Sequence, residues 1–195
     1  MTIRVVALVS MFGVLIACGG LLSLGEQAAR AQQTKPEAFT VTVPGMAEAA
    51  FLTTKNASTD PGCGGGNISP PIQWSHPPAG TKSFAITMVD PDGQKGLGSI
   101  HWVAYGIPAS ITSLPAGVGT SSSKDLIAGK NSAGKAIYRG PCPPVGEQPH
   151  HYIIGVYALD LAPGAIEPGL TREAFLAAIR GHSLNESSVV LRYAR

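Results

Sequence analysis

The sequence predicts a mainly β protein, an antiparallel sandwich with a few helical pieces at its periphery. Three observations carry that expectation. Short strand-like runs recur at intervals set by proline and glycine. The 195 residues include 24 Gly and 16 Pro and only 13% charged side chains, a poor composition for long helices. One clear helix stands late in the chain. The length fits a single domain with an appendage, and a 44% hydrophobic content is enough for a sizeable core.

In chain order, Gln32 to Glu37 is a polar lead-in, and Phe39 to Val43 alternates as a half-buried strand does. Thr53 to Pro71 is loop, because Asn56, Asp60-Pro61-Gly62, Gly64-Gly65-Gly66 and Ser69-Pro70-Pro71 are all turn formers. Ile72-Gln73-Trp74 is a short strand and Pro77-Pro78-Ala79-Gly80 a turn. Ser83 to Val89 is apolar without helix caps, as a strand covered on both faces is. Ile100 to Ile107 alternates His101, Val103, Tyr105 and Ile107 on one face with Trp102, Ala104 and Gly106 on the other. Pro108 to Ala136 reads as a mobile surface excursion, and His151 to Leu159 as a strong strand. The helix starts from Thr171 as N-cap, carries Glu173 near its positive end and stops at Gly181; Ser188 to Tyr193 then closes the chain as a strand.

The N-terminus reads as an export signal. Arg4 supplies the positive start, Val5 to Ala17 the apolar stretch, and Ala29-Arg30-Ala31 a cleavage site that leaves Gln32 first in a single domain, 32–195. Two alternatives are an uncleaved anchor over Val5 to Leu24 and a lipoprotein attached through Cys18, since Leu15-Ile16-Ala17-Cys18 resembles a bacterial lipoprotein box. Export implies a periplasmic or extracellular location. Cleavage removes Arg4, Glu26 and Arg30, so the mature domain is nearly neutral. With no basic run and no interleaved aromatic stripe, nucleic acid is excluded as a partner. Cleavage also leaves two cysteines in an oxidising compartment, Cys63 and Cys142; a disulfide and a pair of buried thiols are both open.

Two stretches carry the chemistry. Asp90-Pro91-Asp92 is followed by His101-Trp102, and Tyr138-Arg139-Gly140-Pro141-Cys142-Pro143-Pro144 by His150-His151-Tyr152. Each sets a rigid turn beside an imidazole on a strand, which builds a pocket rather than a core. Strand alternation sends His150 and Tyr152 to one side and His151 to the other. His101 and Asp90 come from other strands, so four polar groups converge on one sheet edge. Trp74 and Trp102 are candidates for the wall or for core packing. Alone, His101 or His150 would be an ordinary structural histidine, Asp90-Pro91-Asp92 a plain turn, and His182 local structure at a helix end.

At these residues the chain resembles the phosphatidylethanolamine-binding protein family, in particular its bacterial Raf-kinase-inhibitor-like branch. The matching blocks are Cys63-x-Gly65-x-Asn67-x-Ser69-Pro70-Pro71 with Trp74, Asp90-Pro91-Asp92, His101-Trp102, Tyr138-x-Gly140-Pro141-Cys142-Pro143-Pro144-x-Gly146, His150-x-Tyr152, Tyr157-Ala158-Leu159-Asp160 and Gly181-His182. The resemblance implies a Greek-key β-sandwich with a small anion cavity at one end. Carried over residue by residue, the ligand set is Asp90, His101, His150 and Tyr152, with backbone at Gly140 and Cys142 and with Pro91, Tyr138 and Pro143 as wall. The chain departs at Gly93-Gln94, where many relatives have Ala-Pro, and at His151, where relatives often carry Arg.

The expected function is a non-catalytic exported binder of phosphorylated or other small anionic ligands, phospholipid headgroups among them, with no cofactor and no stable membrane insertion of the mature domain. Asp90 beside an anion either orients His101 or His150 through a ring N–H or accepts from the ligand's amine or from a protonated phosphate oxygen. The alternative is a secreted protein-interaction module that inhibits a protease or host signalling protein, with Pro108 to Ala136 as its contact. Catalysis lacks a nucleophile, since Gly181-His182-Ser183-Leu184-Asn185 has Asn where a nucleophile elbow ends in Gly. A metal on Asp90, His101 and His150 lacks a local ligand spacing.

Overall fold

A run as apolar as Phe84-Ala85-Ile86-Thr87-Met88 is stable in water only with both faces covered, and the chain is organised around that requirement. The structure is a computed structural model that describes residues 37–195. The expected export signal, its cleavage after Ala31 and the alternative lipid site at Cys18 lie outside the described residues. Among the described residues the strands are β1 (Thr40–Thr42), β2 (Ile72–Ser75), β3 (Ser83–Asp90), β4 (Ser99–Pro108), β5 (Ser113–Leu114), β6 (Ile127–Gly129), β7 (His150–Leu159) and β8 (Ser183–Tyr193). They form two antiparallel sheets, ordered β1-β2-β5 and β6-β4-β3-β7-β8. In the larger sheet β3 and β4 are a hairpin, β6 adds outside β4, and the chain returns to lay β7 against β3. This is Greek-key connectivity.

One face of the large sheet, with Phe84, Ile86, Met88, Trp102, Ile154 and Val156, packs on Val41, Ile72 and Trp74 of the small sheet and on Phe39 just before it. The opposite face, with Ala85, Val103, Tyr105 and Leu159, is covered by Ile166, Phe175 and Ile179, from the segment around helix α1 (Arg172–Ala178). The Tyr105 and Phe175 rings stack there at 5.4 Å. Thr171 caps α1 as expected, its Oγ1 accepting the Ala174 N–H, and Gly181 with φ of 81° follows its end. Both tryptophans are core residues.

Three expectations need correction. The alternation along β4 breaks twice. Gly106, at φ 71°, lies in a bulge between the Phe84–Ile107 and Ile86–Ala104 pairs, and Ile107 therefore joins Trp102 and Ala104 in the main core. A second irregularity leaves His101 between the Met88–Trp102 and Val89–Ile100 pairs, so His101 does not share a face with Val103 and Tyr105. The stretch Pro108 to Ala136 stays loop-rich but is tied to the sheet edges by β5 and β6, and its continuously exposed parts are two short tips, Thr120 to Lys124 and Ser132 to Ala136. Finally, β8 begins at Ser183, because its polar first half is set by pairing with β7 and not by an apolar pattern of its own.

Of the two states open to the cysteines, the disulfide is the one adopted. Cys63 and Cys142 are joined with Cα atoms 5.5 Å apart and 79 residues apart in sequence, tying the 53–71 loop to the segment before β7. Closing a loop of that length removes much of the freedom of the unfolded chain. The double variant Cys63→Ser, Cys142→Ser is expected to lose about 4 kcal/mol, read as the change in urea unfolding free energy.

Candidate functional site

The site begins where β3 runs out. Strand alternation puts Asp90 on the face of Phe84, Ile86 and Met88, and Pro91, with no N–H, ends the ladder. Asp90 Oδ1 accepts the backbone N–H groups of Asp92 and Gly93, both at 2.9 Å. This turn aims Oδ2 across the sheet end. There Oδ2 accepts from His150 Nδ1 at 2.9 Å and lies 3.8 Å from His101 Nε2. The first is a hydrogen bond and the second an electrostatic contact only. Asp92 acts in parallel on the neighbouring residue, its Oδ2 accepting from the backbone N–H and Nδ1 of His151 at 2.8 and 2.9 Å. As alternation requires, His150 and Tyr152 are buried and His151 is exposed.

His101 reaches the site because of the irregularity in β4, which turns its ring toward Tyr152, edge to face at 5.2 Å. Its Nδ1–H donates to the Arg139 carbonyl at 2.7 Å, which fixes the proton on that nitrogen and leaves Nε2 toward Asp90. His150 is held differently, for its Nε2 donates to Glu147 Oε2 at 3.1 Å while Nδ1 serves Asp90. Burial disfavours the charged form of His150, yet the bonds to Asp90 and Glu147 and the charges of Asp90 and Asp92 outweigh it and raise its pKa. Burial likewise opposes ionisation of Asp90, but the neighbouring His101 and His150 outweigh it and hold its pKa below the usual carboxylate value. The Asp92 carboxyl is also lowered, chiefly by the His151 backbone N–H.

These groups enclose a cavity of about 100 Å³. Of the residues expected at the site, Asp90, His101, Gly140, Cys142, Pro143 and His150 line it. Tyr152, expected among the ligand residues, is not on the lining: it is fully buried against His101, and among the described residues its hydroxyl has no partner. Burial first, then the Asp90 charge, pushes its pKa upward. Two expected wall residues are not on the cavity lining. Pro91 is an exposed turn residue, and Tyr138 is core, its hydroxyl donating to the Asn56 carbonyl at 2.9 Å and its ring set edge-on to Trp102 at 5.9 Å.

The lining also holds Gly93, Gln94, Ser99, Arg139 and Pro144. Gln94 and Ser99 meet across the β3–β4 turn, Gln94 Nε2 donating to Ser99 Oγ at 3.2 Å. Arg139 lies between Tyr138 and Gly140 of the family motif, but its Nε donates to Asp60 Oδ2 at 2.8 Å, so its charge is already matched. Glu147, three residues before His150, carried no pattern to mark it. Asn67 was legible as a motif residue and has a definite task. Its Oδ1 accepts the Gly140 N–H at 2.7 Å and its Nδ2 donates to the Tyr138 carbonyl at 3.0 Å, which fastens the cavity wall to the 53–71 loop. Among the described residues no group of three or more His, Cys, Asp or Glu side chains is placed to hold a metal ion.

The family model described as phosphatidylethanolamine-binding protein matches residues 46–194. The chain belongs to the phosphatidylethanolamine-binding protein family. It is 44% identical over 126 residues to the Escherichia coli protein YbcL, covering 63% of this chain and 69% of YbcL. The crystal structure of YbcL, described as a member of the mammalian family, superposes with a TM-score of 0.75 over 82% of this chain and 99% of that one, at 34% identity. A Methanothermobacter thermautotrophicus relative is 38% identical over 135 residues, 68% of this chain and 87% of its own. LppC of Mycobacterium tuberculosis, described as a candidate lipoprotein, is 35% identical over 133 residues, 66% of this chain and 61% of its own. The Greek-key sandwich of this phosphatidylethanolamine-binding protein relative thus agrees in sequence and in fold with that family, and no helix among its described residues is long and apolar enough to cross a membrane.

A Cβ on Gly140 would run into the backbone of Asn56, Ala57 and Ser58. Gly140→Ala is therefore expected to cost about 2 kcal/mol or more of stability by overpacking the cavity wall, measured by urea unfolding. The ion cluster adds a pH window. The lowered pKa of Asp90 stabilises the fold above about pH 4, an advantage lost as pH falls through the lowered value. The raised pKa of His150 stabilises it below about pH 6.5, an advantage lost as pH rises through the raised value. Wild type is expected to lose more stability between pH 5.5 and pH 8.5 than His150→Asn, compared by urea midpoints at the two pH values.

Proposed function

We propose that this protein is a non-catalytic, exported binding protein that takes a phosphorylated or other small anionic ligand, such as a phospholipid headgroup, into the cavity at the end of the sandwich. The observation that carries the reading is the convergence of His101 and His150, from different strands, on the buried carboxylate of Asp90. Asp90 orients the imidazoles, so that the nitrogens left to serve an oxyanion are His101 Nε2 once it carries a proton and the outer Nε2 of His150, which Glu147 holds in the free protein. The backbone N–H of Cys142, on the cavity lining, is a further donor. A cavity of about 100 Å³ is small, with room for a headgroup oxyanion but not for acyl chains.

A binding role without catalysis is supported by how the polar groups are engaged. His150 is held at both ring nitrogens, His101 at Nδ1, and the Ser99 hydroxyl by Gln94 rather than by a histidine. A nucleophile needs an adjacent base, and Ser99 is without one in this arrangement. Export is supported by the signal-like stretch from Arg4 to Ala31 and by the disulfide, which suits an oxidising compartment.

The charge balance adds a condition. Asp90, Asp92 and Glu147 face His101, His150 and His151, and the nearest cation, Arg139, is paired with Asp60. An anion therefore binds best when the histidines are protonated, and binding takes up protons. Calorimetric titration with phosphate and phosphoethanolamine, using protein from Gln32 onward, is expected to give binding that strengthens as pH falls from 8 to 6 and is lost in His101→Ala and His150→Ala. Equal affinity at the two pH values, or binding that survives both substitutions, would overturn the reading.

A further inference from the structure

We propose that Glu147 is a tethered competitor for the ligand: its carboxylate occupies the outer ring nitrogen of His150 and has to leave that nitrogen when an anion binds there. The inference rests on the anion-binding reading of the cavity and identifies the residue that sets its affinity.

The two carboxylates on His150 differ in kind. Asp90 is buried, and its oxygens take two backbone N–H groups and the His150 ring, with His101 close by. Removing it from His150 would leave a buried charge without its partner, a costly change. Glu147 has a side chain that is 54% exposed, and His150 is the side chain it bonds. It can move into water for the loss of one hydrogen bond, which an incoming oxyanion restores to His150. The space for that movement is present. An open groove of about 380 Å³, lined by Asp92, Glu147, Gln148, Pro149, His150 and His151, adjoins the cavity and shares His150 with it.

The backbone beneath Glu147 stays in place during such a swing. The Glu147 N–H donates to the Pro144 carbonyl at 3.4 Å, and the Gly146 N–H to the Arg195 carbonyl at 3.2 Å; Gly146, at φ 82°, makes the turn. Arg195 Nε donates in addition to the Pro143 carbonyl at 2.6 Å. The carboxylate is thus delivered to His150 from a fixed anchor. A group tethered by so short an arm acts at an effective concentration of millimolar order or higher. A free anion therefore binds with an affinity reduced by the fraction of protein in which Glu147 is away from the ring. Once displaced, Glu147 remains beside Asp92 on the rim, where the two negative charges oppose a ligand of high charge more than a singly charged one.

The test is calorimetric titration of the full mature protein with inorganic phosphate at pH 6, comparing wild type with Glu147→Gln and Glu147→Ala, alongside NMR of the His150 ring. Both variants are expected to bind phosphate about fivefold or more tighter than wild type. Phosphate is also expected to move the His150 Nε2 signal of wild type toward that of phosphate-bound Glu147→Ala. Binding seen only in the variants would support the proposal as well. Wild-type binding that neither substitution tightens would overturn the role of Glu147 and leave the anion cavity intact. No binding in any of the three proteins would overturn both.

Discussion

The carboxylate of Asp90 is buried at the open end of the sandwich, and that one placement constrains everything around it. A buried carboxylate is tolerated only when its oxygens are met by donors. The donors come from the turn at Asp92 and Gly93 and from the first residue of β7, and His101 in the irregular start of β4 stands close by. Each of these elements has to end or bend at the same level for the cluster to form. The cavity is the space left between them.

The cavity lies at a sheet end because of how the core is built. The large sheet is covered on one face by the small sheet and on the other by the segment around α1. That cover runs out where β3 ends and β7 begins. Beyond it the wall is made of Pro-rich and Gly-rich chain with few apolar contacts, so its rigidity comes from other sources. The Cys63–Cys142 disulfide, the two-ended amide of Asn67 and the close packing of Gly140 on the Asn56 to Ser58 backbone supply it. These are fixed positions for backbone N–H groups, which is what recognition of an oxyanion needs.

Anion sites are commonly built on arginine or on helix N-termini, whose charge or dipole is permanent. On the proposed reading the positive charge would have to come from histidine, and each of the three histidines on this rim faces a carboxylate. The site is thus an electrostatic balance. Small changes in protonation, or in the position of one exposed carboxylate, decide how much positive potential a ligand meets.

The amino-acid sequence by itself determined the elements whose signals are local. The unbroken apolar run of β3 announced a strand buried on both faces, the parity of His150, His151 and Tyr152 assigned their sides, and Thr171 with Gly181 bounded the helix region. The spaced motif blocks identified the family. Tertiary structure alone decided what depends on pairing across the chain. The His101 ring direction and the side taken by Ile107 follow from bulges in β4, and a bulge exists only relative to its partner strand. The polar half of β8 is a strand because β7 lies beside it, and Pro108 to Ala136 is ordered by the sheet edges that it joins. Glu147 has no periodic or motif signature, and it becomes part of the site only because its turn is pinned next to His150. Local pattern reports which residues want burial; the register between distant strands decides which of them meet.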